Sequence, residues 1–254
     1  MGERQESIIT RHGDKGGWKI NEEELRGALP EVEANIALDI LKTEFPDWDK
    51  TPLKLDGIKR SLNLGDEVFA MLPDDCVVVV MDSGKDRAQL TRALAVERIY
   101  QLESNHNREN PKEKKRIDML QVEEGEITAL LKDSDDSTWR PYGDMRDKEG
   151  ISESEALFRW LNDMNKPDSG VDPKVAPQES ARRYRLLVEM MHKEGVGITS
   201  DKPVVLFGVG HGGSLGQAKY EDIGVRDASE TPQFCEMFRF GKDGKLEGTK
   251  HVEI

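Results

Sequence analysis

The sequence has few cysteines, no long apolar run and no strongly basic segment, and each absence excludes a class of protein. Its two cysteines, Cys76 and Cys235, do not have the spacing of metal ligands, so no thiolate metal site is expected. No apolar stretch approaches the ~20 residues of a membrane-spanning helix, and residues 1–7 contain no signal-peptide apolar region. We therefore expect a cytoplasmic protein with reduced thiols that does not act at a membrane.

The charge balance argues against a nucleic-acid partner. Fifty acidic residues outnumber 37 basic ones, which gives a formal net charge of −13. The most basic run, residues 112–116, is short and flanked by acidic residues, so we interpret it as a solvated segment. Because the overall field of such a protein repels anions, any anionic ligand would need a locally positive pocket.

Short apolar runs alternate with amphipathic segments, a pattern that predicts an α/β fold. We expect a three-layer sandwich with a mostly parallel central sheet and helices on both faces. A hairpin-like tail, with strands at 234–240 and 249–254 around a turn at 242–244, is expected to add an antiparallel edge. Strands are predicted at 7–10, 76–81 and 203–209, and helices at 31–44, 56–70 with an interruption near Gly65, 86–102, 152–164 and 178–194.

Residues 104–150 are rich in Asn, Glu, Lys and Asp and contain one amphipathic piece, residues 117–131. We interpret this stretch as an insertion or lid within a single domain that spans residues 1–254, since long polar connections inside compact domains are usually functional.

Three clusters of charged residues and glycines follow the three apolar strands. Arg11-His12-Gly13 comes after the first strand, residues 83–87 come after the second, and residues 210–213 come after the third. Because ligands bind at the carboxyl ends of the strands in open α/β sheets, we expect these clusters to meet at one site. Together they offer two arginines and two histidines.

These residue types suit phosphoryl transfer. Arginine presents a fork of donors that matches phosphate oxygens, and glycines beside a histidine let the backbone approach a ligand closely. Neighbouring positive charge favours the neutral imidazole, which is a competent nucleophile. Two arginines would repel a cation held by the histidines, so we expect neither a metal nor another cofactor.

The ordered set of motifs resembles the histidine phosphatase superfamily, also called phosphoglycerate mutase-like. Arg11-His12-Gly13 matches the N-terminal signature of that family, and His211-Gly212-Gly213 matches its second-histidine motif. Ser83-x-x-x-Arg87-Ala88-x-x-Thr91 matches the second motif at its Ser, Arg, Ala and Thr, and departs from it at Gly84, Lys85 and Leu90. The resemblance extends from residue 7 to about residue 240.

The resemblance implies a role for each matched residue in the hydrolysis of a small-molecule or peptide phosphate monoester. His12 would be the nucleophile, and Arg11, Arg87, His211 and Gly13 would bind the phosphoryl oxygens. The family also uses a carboxylic acid that protonates the leaving alcohol and then activates water. Glu124 is favoured for that role, and the alternatives are Glu123, Glu126 and Glu103.

Two other functions remain open. A phosphomutase of the same fold would retain the phosphoryl group, although the run Asp-Lys-Gly-Gly-Trp-Lys at residues 14–19 departs from the Glu-Ser-x-Trp-Asn pattern of the family's mutases. The altered second motif also fits a catalytically inactive module that binds phosphate or a protein. Substrate specificity is expected to depend on residues 104–148 and on the surroundings of Trp18 and Trp139, and the sequence does not indicate an oligomeric state.

Overall fold

The computed structural model describes residues 7–14, 20–46, 51–122, 128–131, 136–166, 177–194 and 200–254. Within these ranges, strands and helices alternate as the sequence predicts. The elements in chain order are β1 (Ser7–Arg11), α1 (Glu22–Ala28), α2 (Glu31–Glu44), α3 (Leu55–Met71), β2 (Asp75–Asp82), α4 (Asp86–Glu109), β3 (Arg116–Gln121), α5 (Asp136–Glu149), α6 (Glu153–Met164), α7 (Pro177–Glu194), β4 (Val204–Gly210), α8 (Gly212–Asp222), β5 (Met237–Phe240) and β6 (Leu246–Lys250).

The strands form one mixed sheet in the order β3-β2-β4-β1-β5-β6. The first four strands of this order are parallel, whereas β5 and β6 continue the sheet with antiparallel pairing. Arg11 pairs with Gly210 and Asp82 pairs with Val209, so β1, β4 and β2 end at the same edge of the sheet. The register therefore places all three predicted clusters side by side.

Alternate residues of the strands pack into two separate cores. Ile8, Val78 and Phe207 face one side, where α3 and α4 cover the sheet. Ile9, Val79 and Leu206 face the other side, where α7 and α8 cover it. Because both faces are covered, β4 is buried along its whole length. The predicted three-layer α/β sandwich is confirmed.

One predicted helix is longer and more regular than its sequence indicates. The predicted interruption of α3 near Gly65 is wrong, because the helix continues through this residue to Met71. A Cβ at Gly65 would lie 2.7 Å from the Ala95 carbonyl oxygen and 2.7 Å from the Arg98 Cβ, both in α4. Gly65 therefore marks a close approach of two helices rather than a break in one.

Replacing Gly65 by alanine is expected to lower the free energy of unfolding by about 1–3 kcal/mol, since α3 and α4 would have to separate to accommodate the methyl group. The matched control is Gly27→Ala in α1, where nothing lies within 4 Å of an added Cβ. That control is expected to stabilise by about 0.5–1 kcal/mol, because alanine favours the helix. Urea unfolding of both variants tests the pair, and equal effects at the two positions would contradict the close approach.

The predicted insertion and tail also differ in detail from the structure. Residues 104–109 continue α4, and residues 116–121 form the edge strand β3, so the first part of the predicted insertion belongs to the central sheet. Ile117 is buried and its neighbours are exposed, an alternation typical of a strand with one covered face. In the tail, β6 lies at residues 246–250 rather than at 249–254. The organisation of residues 1–254 as one domain stays a prediction.

Both cysteines lie in the core as free thiols, as predicted from their apolar contexts. Burial raises the pKa of Cys76 to about 11 and that of Cys235 to about 12, so neither is a ready thiolate. Among the helices of the described ranges, none has the length and apolar character needed to cross a membrane.

Candidate active site

The three clusters converge at the carboxyl edge of the parallel strands. The His12 amide donates to the Gly210 carbonyl at 3.1 Å, and the Ser83 amide donates to the Val209 carbonyl at 3.1 Å, so the chain leaves each strand in a fixed direction. His12, Ser83 and His211 are all at least 95% buried. A cluster of polar side chains buried together at a strand edge is the arrangement expected of a binding site.

The His12 ring is held in one tautomer. Its Nδ1 lies 2.7 Å from the Gly13 carbonyl oxygen, which can only accept, so Nδ1 carries the proton and Nε2 carries the lone pair. Arg87 Nε donates to that Nε2 at 2.8 Å. The Gly13 amide donates to Thr91 Oγ1 at 2.9 Å, which fixes the loop that carries the histidine. His12 therefore presents a nucleophilic nitrogen beside a guanidinium.

His211 lies next to His12 and shares its arginine. The two ring centroids are 5.2 Å apart with the rings inclined at 67°. Arg87 Nη2 lies 3.4 Å from His211 Nδ1, and His211 Nε2 lies 2.7 Å from Ser83 Oγ. Because arginine only donates, Nδ1 is the acceptor, and Nε2 carries the proton that is donated to Ser83. One arginine thus contacts both histidines.

Both histidines are held in the neutral form. Burial holds the pKa of His12 well below its usual range, and the charges of His211, Arg87 and Arg11 act in the same direction. Burial also lowers the pKa of His211 to about 3, with further contributions from Arg87, Lys85 and Arg11. A positive pocket that keeps its imidazoles neutral favours both nucleophilic attack and anion binding.

Arg11 lies over the Phe234 ring in the floor of the site. Its guanidinium carbon is 4.1 Å from the centre of the Phe234 ring, Nη1 donates to the Pro232 carbonyl at 2.6 Å, and Nη2 donates to Glu153. Its Nε is buried and has no hydrogen-bond partner among the described residues. A Cβ on Gly212 would lie 2.7 Å from that Nε, so the guanidinium lies directly against the beginning of α8.

Two helices begin at the site. Helix α4 starts at Asp86, after the Ser83-Gly84-Lys85 turn, and α8 starts at Gly212, with His211 as its N-cap. Neither N-cap side chain hydrogen-bonds to the first turn of its helix. The amides of a helix N-terminus and its dipole attract anions. Together with the two arginines they make a locally positive pocket in an acidic protein.

The structure does not bring every predicted site residue into this pocket. Gly13 lies beside His12, where its amide donates to Thr91 and its carbonyl accepts from His12, and its role in phosphate binding stays a prediction. Glu103 lies at the opposite edge of the sheet, because its Oε1 accepts from the Ile117 amide at 3.0 Å, beside the start of β2. Glu123, Glu124, Glu126 and Trp18 lie outside the described residues.

Sequence reasoning missed three residues that support the pocket. Glu153 and Phe234 both contact Arg11 from distant segments. The Tyr184 hydroxyl accepts from the His211 amide at 3.2 Å and donates to the Leu131 carbonyl at 3.2 Å. Of these three residues, only Tyr184 could have been identified from the sequence, because a buried tyrosine on the apolar face of a helix needs a hydrogen-bond partner for its hydroxyl.

No group of three or more His, Cys, Asp or Glu side chains that could hold a metal ion is present in the part of the chain that the structure describes. The ionisable groups brought together here are instead two histidines and two arginines, a set whose cationic members suit an anion.

Comparisons with known proteins give structural neighbours of low sequence identity. No protein-family model and no curated protein matches the chain. Among solved structures, it is similar to phosphoserine phosphatase from Entamoeba histolytica, with 11% identity, a TM-score of 0.47, and 98% of each chain covered. A mycobacterial glucosyl-3-phosphoglycerate phosphatase has 14% identity and a TM-score of 0.43, with 96% of this chain and 95% of that chain covered. Klebsiella phytase has 9% identity and a TM-score of 0.38, with 94% of this chain and 77% of that chain covered. The chemistry is therefore inferred from the arrangement of the side chains.

Proposed function

We propose that this chain is a phosphatase of the histidine phosphatase superfamily, which hydrolyses phosphate monoesters through a phosphohistidine intermediate on His12. One observation carries the proposal: a buried, neutral imidazole has its Nδ1 tied to the Gly13 carbonyl and its Nε2 lone pair beside Arg87. Such a nitrogen is oriented for attack before any substrate arrives, and the cation next to it would receive the negative oxygens of a phosphoryl group.

In the first step, His12 Nε2 attacks phosphorus and forms a P–N bond while the bond from phosphorus to the alcohol oxygen breaks. The phosphoryl group takes the place of the hydrogen bond between Nε2 and Arg87, and Arg87 then donates to a phosphoryl oxygen. Arg11 Nε and the first amides of α8 would receive another oxygen. Charge developing on the oxygens is thereby neutralised by donors that already line the pocket.

In the second step, water attacks the phosphohistidine and releases inorganic phosphate, which regenerates the neutral imidazole. The departing alcohol needs a proton in the first step, and water gives one up in the second, so a single carboxyl group can serve both. Glu124 stays the predicted acid and base. The hydrogen bond from Nδ1 to the Gly13 carbonyl is compatible with both steps, because only Nε2 changes its bonding.

The proposal is tested by incubating the purified protein with para-nitrophenyl phosphate between pH 5 and 8 in the presence of a chelator. We expect release of nitrophenol that does not depend on metal, and a phosphoryl adduct on the protein that is labile to acid and stable to alkali, as a phosphoramidate is. Turnover that requires added divalent metal would contradict the mechanism.

Two further results would change the assignment in specific ways. A phosphoenzyme that resists water but passes its label to an added phosphorylated alcohol would indicate a mutase. Binding of inorganic phosphate by the folded protein without hydrolysis at any pH would indicate an inactive binding module.

A further inference from the structure

The orientation of Arg11 depends on contacts made by two neighbouring helices. Glu153, the first residue of α6, receives a hydrogen bond from Arg11 Nη2. Tyr142, in α5, hydrogen-bonds to the same carboxylate and packs against the apolar cluster of α6. A chain of three side chains, Tyr142 to Glu153 to Arg11, therefore connects α5 and α6 with the floor of the candidate active site.

We propose that Glu153 is a positioning residue that orients the Arg11 guanidinium so that its Nε faces the phosphoryl group, and that Tyr142 holds Glu153 in place. This inference rests on the proposed function, because it assigns Arg11 to phosphate binding. It adds two residues, from segments that no motif covers, to the machinery of the site.

Three contacts restrain the orientation of Arg11. Its guanidinium carbon lies 4.1 Å from the centre of the Phe234 ring, and its two terminal nitrogens donate to the Pro232 carbonyl and to Glu153. Its Nε has no partner among the described residues and lies beside the start of α8. Without the carboxylate, Nη2 would lack its partner in a side chain that is only 9% exposed, and the fork would turn to find another acceptor.

The Glu153 carboxylate is engaged by the Arg11 guanidinium, and this contact favours the positioning role. Burial, followed by the charge of Glu153, raises the pKa of Tyr142, so the phenol stays protonated and can donate to the carboxylate. In this chain of three side chains, Tyr142 therefore holds Glu153, and Glu153 orients Arg11.

The direction in which phosphate affinity changes when Glu153 is replaced distinguishes a positioning role from a purely electrostatic one. A carboxylate near the pocket weakens its positive potential, so removing only the charge would make phosphate bind more tightly. Loss of orientation would act in the opposite direction, because a misdirected donor no longer meets the oxygen it should bind. Glu153→Met removes both the charge and the acceptor oxygens with little change in side-chain length and therefore decides between the two.

The experiment compares Glu153→Met with the matched control Glu155→Met. Both positions lie in the first turn of α6, and the Glu155 side chain accepts from Arg159 Nε at 2.7 Å. We expect Glu153→Met to lower kcat/KM for para-nitrophenyl phosphate by about 10-fold or more, and to weaken binding of inorganic phosphate measured by calorimetry. Glu155→Met is expected to leave both values unchanged.

A double-mutant cycle with Arg11→Ala shows whether Glu153 acts through Arg11. In the Arg11→Ala background, Glu153→Met is expected to have no further effect, since the group that Glu153 orients is gone. Tyr142→Phe should shift both readouts in the same direction as Glu153→Met by a smaller factor, and it replaces that variant if thermal unfolding shows that Glu153→Met does not fold.

Equal behaviour of the Glu153→Met and Glu155→Met variants, tighter phosphate binding by Glu153→Met, or full additivity with Arg11→Ala would overturn the positioning role. If the wild-type protein binds phosphate but hydrolyses no ester, the proposed function fails. In that case, weaker phosphate binding by Glu153→Met would still support the positioning of Arg11, so the two failures are distinguishable.

Discussion

Replacing His12 by alanine is expected to lower kcat/KM for an aryl phosphate by about 10⁴-fold or more and to abolish the phosphoenzyme, because the attacking nitrogen is lost. The structure orients His12 Nε2 through the hydrogen bond of the other ring nitrogen. In the neighbouring His211 the Nε2 proton is donated to Ser83, so the lone pair is on Nδ1, the ring nitrogen nearer to the main chain.

The measurement is steady-state hydrolysis beside acid-quench detection of the phosphoenzyme, with thermal unfolding to show that the variant is folded. His251→Ala, an exposed histidine that follows β6, is the matched control and should keep full activity. Retention of even one-tenth of wild-type turnover by the His12 variant would eliminate a phosphohistidine intermediate on His12, since hydrolysis would then proceed without that nitrogen.

The sheet could be predicted from the sequence because its central strands are buried on both faces. A strand in that environment is apolar at consecutive positions, as in the valines of β2 and the whole of β4. Helix α6 was predicted with its N-terminus, since the Ser152 side chain accepts from the Glu155 amide as its sequence pattern indicates. In these elements the local signal and the tertiary environment favour the same structure.

Other elements form against their local signal and could not be predicted. Helix α8 begins with two glycines, which disfavour a helix by about 1 kcal/mol each. The tertiary structure requires small residues there, because Arg11 lies against Gly212 and Leu161 lies 3.2 Å from a Cβ at Gly216. Gly65 in α3 is a similar case, since the reason for the glycine is in α4.

The candidate active site also contains residues that could be predicted from the sequence and residues that could not. The residues that follow the strand ends could be predicted to meet, because the parallel register alone aligns Arg11 with Gly210. The residues that orient them could not, since Glu153 lies 142 positions from Arg11 along the chain and is one of several acidic residues in its segment. Side-chain contacts between distant segments depend on the packing of whole helices, which sequence patterns do not encode locally.

Replacing Arg87 by glutamine is expected to lower kcat/KM by about 10³-fold, the upper range for removal of one donor that stabilises a transition state. Arg87 lies within hydrogen-bond distance of both histidines, at 2.8 Å from His12 and 3.4 Å from His211. Its removal takes away the fork that would receive the phosphoryl oxygens as well as the charge between the two rings. The matched control is Arg108→Gln, at an exposed position near the other end of α4. It removes the same charge from the same helix and should leave kcat/KM nearly unchanged.

The pH profile of the Arg87 variant gives an independent readout. The charge of Arg87 helps to lower the pKa of His12 and of His211, second only to burial in the case of His211. Without that charge both pKa values rise toward the usual value, so protonation of the nucleophile begins at a higher pH as the solution is acidified. Since only the neutral imidazole attacks, the acid limb of kcat/KM should move to higher pH than in the wild-type enzyme with the same substrate. An unchanged acid limb would mean that Arg87 does not lower the pKa of His12. A loss of kcat/KM of less than about 10-fold would mean that Arg87 does not bind the phosphoryl group in the transition state.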